Sequence, residues 1–94
     1  MLSELRVLEA IAPDVLEVVK KRYRIMQNIF WMQPIGRRNL ADSLGLTERV
    51  LRGETDYLRD QRLIDATKSG MLLTEKGEGL LQHLELLKIG RAHV

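Results

Sequence analysis

The 94-residue chain contains no cysteine, which removes disulfide frameworks and thiolate-ligated zinc from consideration and is consistent with an intracellular setting. Aromatic residues make up only 4% of the chain, so an open stacking surface for single-stranded RNA is not expected. Its longest apolar run, Ile29-Phe30-Trp31-Met32, has four residues, far short of a membrane span. Glu4, Arg6 and Glu9 sit among the N-terminal leucines, a pattern unlike a secretory signal. With only two histidines, His83 and His93, and no Gly-rich phosphate loop or nucleophile motif, nothing suggests an enzyme or a bound cofactor.

Net charge is only +2. Bulk electrostatics therefore cannot argue for a polyanionic partner, and the placement of individual arginines must. The length suits one domain with a modest core. Leu2, Leu5, Leu8 and Ile11 or Ala12 recur at helical spacing and predict a short first helix, with Pro13 ending it. Asp14 followed by Glu17 has capping-box spacing and is expected to open a long second helix. The apolar stripe of that helix is read through Val15, Val18, Val19, Ile25, Met26, Ile29 and Phe30, with Lys20, Lys21 and Arg24 turned away. Trp31 and Tyr57 are expected to be partly buried packing residues.

A shorter helix is predicted from Arg37 to Leu44, with Leu40, Ala41 and Leu44 on one face. Gly45 suits the left-handed turn after it, and Thr47 is placed to cap the next helix, which should run to about Arg62. At 100° per residue, Leu51, Thr55, Leu58 and Arg62 share one side of that helix, while Arg49, Gly53 and Asp56 face the other way. Residues 63–67 and 71–73, joined by Lys68-Ser69-Gly70, read as a β-hairpin. Thr74 then caps a last helix bearing Leu80, Leu81, Leu84 and Leu87.

Helix, tight glycine turn, helix and hairpin in that order predict a mostly α fold with a small β-hairpin, a winged helix-turn-helix. The helix-turn-helix falls at about 37–62, the wing at about 63–73 and the C-terminal helix at about 74–88. In such a fold the second helix enters the major groove, and its exposed N-terminal half here offers Thr47, Glu48, Arg49 and Arg52. An arginine fork can bond guanine O6 and N7 together. Glu48 can either accept from cytosine or simply complement the helix dipole. Gly53, on the outward face, either lets the helix approach DNA closely or is a tolerated imperfection. Arg37 and Arg38 open a helix whose dipole disfavours cations, which makes a docked phosphate the better reading than two solvated charges. Lys68 at the wing tip is a weaker candidate for backbone or minor-groove contact, with a solvated surface charge as the alternative reading.

The stretches Pro34-Ile35-Gly36-Arg37-Arg38, Leu40-Ala41-x-x-Leu44-Gly45-Leu46-Thr47-Glu48-Arg49-Val50-Leu51-Arg52-Gly53-Glu54 and Gly70-Met71-x-Leu73-Thr74-x-x-Gly77 resemble the N-terminal domains of glycolytic-gene regulators in the SorC group of sugar-responsive bacterial repressors. The resemblance covers about residues 12–87. It implies a cytoplasmic protein whose winged-helix domain binds a double-stranded DNA operator. It also implies a larger C-terminal domain, with no counterpart in this chain, that takes a sugar-phosphate effector and forms homo-oligomers. The last six residues, Ile89-Gly90-Arg91-Ala92-His93-Val94, resemble a translated sequencing adapter and are expected to be a non-native tail following a domain of residues 1–88. The competing interpretation is a winged-helix module for protein interaction or dimerisation, using the N-terminal leucines and the Leu80, Leu84, Leu87 spacing.

Overall fold

The structure is a computed structural model and describes residues 4–86. Leu2, Leu87 and the expected tail at 89–94 lie outside the described residues. Helices α1 (Glu4–Ile11), α2 (Pro13–Met32), α3 (Arg37–Leu44) and α4 (Glu48–Asp60) are followed by strands β1 (Ile64–Thr67) and β2 (Gly70–Leu73) and helix α5 (Glu75–Leu86).

Pro13 ends α1, which stops at Ile11, and also opens α2, so Asp14 is not the cap expected of it. It occupies the first position of α2, with Ala12 as the capping residue and no side-chain cap bond. Proline is suited to that place because its missing N–H would lack an intrahelical partner anyway and its φ is already helical. Asp14 consequently lies inside the first turn, where it can oppose the helix dipole but cannot cap. At the far end Gln33 is extended (ψ 141°), the conformation imposed on a residue preceding proline.

The core is formed by Leu16, Tyr23, Ile25, Met26 and Ile29 of α2 with Ile35, Leu40, Ala41, Leu51, Leu58, Leu63, Ile64, Met71, Leu73 and Leu81. The α2 stripe differs from the expected one. Val15, Val18 and Phe30 are exposed, while Leu16 and Tyr23 are buried. α2 packs on α1, α3, α5 and β2 in different places, so burial along it follows whichever neighbour covers each turn. Trp31 is likewise 65% exposed, contrary to the packing role expected of it. On α5, Leu81 is buried and Leu80 is exposed.

β1 and β2 pair antiparallel, with Ile64 opposite Leu73 and Thr67 opposite Gly70. Beyond the hairpin, Ile35 adds a short bridge to Met71, its N–H donating to the Met71 carbonyl (3.2 Å) and its carbonyl accepting from the Met71 N–H (2.8 Å). The Gln33 Oε1 accepts from the Leu73 N–H at 2.9 Å. The wing is thereby tied along β2 to the segment that leads into α3. Gly70 is required at this seam: its φ is +132°, and a Cβ there would fall 2.7 Å from backbone atoms of Ile35. No helix among the described residues is long and apolar enough to cross a membrane.

Candidate nucleic-acid interface

The turn between α3 and α4 is built from local signals. Gly45 takes a left-handed conformation (φ 68°), and the Leu46 N–H reaches back to the Ala41 carbonyl at 3.0 Å, which satisfies a carbonyl at the helix end. Two residues later the Thr47 hydroxyl oxygen accepts from the Val50 N–H at 3.1 Å. This cap starts α4, and its loss would cost about 1 kcal/mol.

Leu51 and Leu58 are 0% and 1% exposed, and Thr55 is buried beside them with its hydroxyl donating to the Leu51 carbonyl at 3.0 Å. Those three residues settle which side of α4 meets the core. Arg49, Arg52 and Gly53 are exposed as a result. Arg62 is not on the buried side as expected. α4 stops at Asp60, and Arg62 is exposed with φ 62°. The Leu63 N–H bonds the Leu58 carbonyl at 2.9 Å, a helix-ending arrangement usually given to glycine.

An open cleft of about 350 Å³ is lined by Arg37, Glu48, Arg49 and Arg52. It joins the start of α3 to the start of α4 and carries three guanidinium groups against one carboxylate. Arg37 is half-buried, and its Nε is buried without a hydrogen-bond partner. Such a deficit costs about 1–3 kcal/mol. Arg38 is exposed and joins the group through Glu48, Nε to Oε2 at 3.8 Å. Both partners are well solvated, so the pair is worth roughly 0–1 kcal/mol and opens readily. Thr47 is exposed and already committed as a cap. Lys68 stands apart at the wing tip, exposed within the two-residue turn closed by Thr67 and Gly70.

Several features of α4 escaped sequence reasoning. Val50 is 45% exposed, next to Arg49, and presents an apolar surface of the kind that meets a thymine methyl. Glu54 bonds two cations of α2, Arg22 Nε at 2.7 Å and Lys21 Nζ at 3.1 Å. Lys21 is thus engaged with α4, although only solvent exposure was expected of it. Arg22 also lies over the Tyr57 ring, 3.9 Å from its centroid. Burial alone would raise the Glu54 carboxyl, but its hydrogen bonds to Arg22 and Lys21 and their charges outweigh this and hold it below the ordinary glutamate range. A cross-helix contact between positions 32 residues apart leaves no periodic trace in a sequence.

Two helices joined by a tight turn, the second bearing exposed arginines, with a hairpin beside them, define a winged-helix DNA-binding domain. The comparison with known families agrees: residues 18–87 match the family described as the CggR N-terminal DNA binding domain, and the chain belongs to that family. It is a family of DNA-binding domains and not of enzymes. The chain is 58% identical over 85 residues to the central glycolytic genes regulator of Priestia megaterium (strain DSM 319 / IMG 1521), covering 90% of this chain and 25% of that protein. It is 53% identical over 73 residues to the central glycolytic genes regulator of Bacillus subtilis (strain 168), covering 78% of this chain and 22% of that protein. The chain therefore spans about a quarter of the length of the curated relatives it matches.

Proposed function

We propose that this domain reads an operator by laying the N-terminal half of α4 in the major groove, as the DNA-binding part of a bacterial repressor of glycolytic genes. Arg49 and Arg52 bond base edges, with Thr47 and Glu48 beside them and Gly53 allowing the helix backbone to come close. Arg37 and Arg38 hold a phosphate at the start of α3, and Lys68 touches the DNA backbone from the wing. One observation carries this reading: burial of Leu51 and Leu58 leaves Arg49 and Arg52 projecting into a cleft shared with Arg37. Arginine forks aimed at base edges supply sequence preference, whereas cations at phosphates supply affinity without it.

The remaining three quarters of such a repressor assemble homo-oligomers and bind a sugar-phosphate effector, so that paired domains engage two half-sites. The setting is cytoplasmic. Selection of bound duplexes from a random pool, followed by a salt titration of the winner, tests this function. The expected result is one enriched sequence whose binding weakens steeply with salt, since each neutralised phosphate releases counterions. Failure to enrich any sequence, or binding that salt does not weaken, refutes it.

A further inference from the structure

We propose that Glu54 is a positioning residue for sequence readout, holding α4 at the roll that presents Arg49 and Arg52 through its bonds to Lys21 and Arg22. The inference rests on the DNA-reading role of α4 argued above. At 100° per residue, Glu54 lies about 140–160° around the helix from both arginines, so it acts on them only through the helix. Its contacts are made on the far flank. Arg22 grips α4 at two points one turn apart, the Glu54 carboxylate at 2.7 Å and the Tyr57 ring at 3.9 Å. Lys21 takes the second carboxylate oxygen at 3.1 Å. The Glu54 side chain is only 15% exposed and that of Arg22 30%, which places the pair among the better protected charges of the domain.

The aliphatic contacts of Leu51 and Leu58 keep α4 on the core, but such contacts are non-directional and tolerate a small rotation about the helix axis. Charge-assisted hydrogen bonds are directional and do not. With side chains reaching about 6 Å from the axis, a roll of about 10° moves an arginine tip by roughly 1 Å. That shift takes a base contact out of the hydrogen-bonding range of about 2.7–3.2 Å. Phosphate contacts made by flexible cations survive it. The clasp should therefore govern selectivity between sequences far more than affinity for DNA in general.

The test is a double-mutant cycle on the 94-residue chain, with Glu54→Gln, Arg22→Gln and both together. The probes are the duplex that the unmodified chain selects from a random pool and a shuffled duplex of the same composition, at a temperature where circular dichroism shows every variant folded. Each single change should lower the selected-to-shuffled affinity ratio by roughly 3- to 10-fold, and the double variant should fall no further than the worse single one. Affinity for the shuffled duplex should stay within about twofold, or rise for Glu54→Gln as Lys21 and Arg22 are released. Unchanged ratios, equal losses on both duplexes, or multiplying losses in the double variant overturn the proposal while leaving the DNA-reading function intact. Should Glu54→Gln fail to fold, Arg22→Gln alone must show the loss of ratio. An unmodified chain that selects no duplex removes both the proposal and the function on which it stands.

Discussion

Gly53 sits in the interior of α4, exposed, with nothing within 4 Å of the place a Cβ would take. Gly53→Ala therefore meets no steric resistance in the free domain. It should raise stability, because a helix-interior glycine is about 1 kcal/mol less favourable than alanine. In a domain of this size that gain corresponds to a rise in Tm of about 4–8 °C. The same methyl group points outward beside Arg49. If α4 lies in the groove with Gly53 at its closest approach, the helix must back away by about the radius of a methyl group. Losing one bidentate arginine contact costs about 1–3 kcal/mol, equivalent to roughly a 5- to 150-fold weaker complex. Thermal denaturation gives the first quantity, and fluorescence anisotropy with the selected duplex gives the second. A more stable variant that binds with unchanged affinity would refute the close approach and show Gly53 to be a tolerated imperfection.

Arg49→Ala and Arg52→Ala should each cut affinity for the selected duplex by about 1–3 kcal/mol while sparing a shuffled one, whereas Arg38→Ala should weaken both alike and flatten the salt dependence; equal losses for Arg49→Ala on both duplexes would exclude base reading by that residue. Gly70→Ala should destabilise the fold by roughly 3 kcal/mol, from the strained positive φ and the clash with Ile35, and a Tm within 3 °C (about half a kcal/mol) of the unmodified protein would contradict the seam drawn between wing and α3. Glu54 is more acidic in the fold than in the unfolded chain, so its contribution is complete above the unfolded glutamate value of about 4.3 and lost as pH falls through the folded value. In acid, Glu54→Gln should flatten the decline of stability with falling pH, as measured by urea denaturation from pH 6 to 3; an unaltered slope would mean the clasp contributes nothing.

Much of this architecture was legible because its signals are local. Gly45 and Thr47 act on backbone atoms within a few residues of themselves, and the alternation of apolar and charged positions on α4 depends only on 100° per residue. The helix start at Pro13 was local too, but Asp14 with Glu17 carries a capping signal that would start the helix two residues later, and only the backbone path decides between them. Arg62 shows the opposite failure: its spacing continues the apolar side of α4, yet the helix has already closed through the Leu63–Leu58 bond.

The sequence by itself determined the order of elements, the side of α4 that meets the core and hence the outward placing of Arg49 and Arg52, since each follows from short-range periodicity and turn chemistry. Tertiary structure alone decided the Ile35–Met71 bridge, the Arg22–Glu54–Lys21 clasp, the gathering of Arg37 with Arg49 and Arg52, and the exposure of Trp31. Those features join segments that meet only after the chain has packed, and no spacing rule relates residues whose proximity depends on how one helix is laid across another.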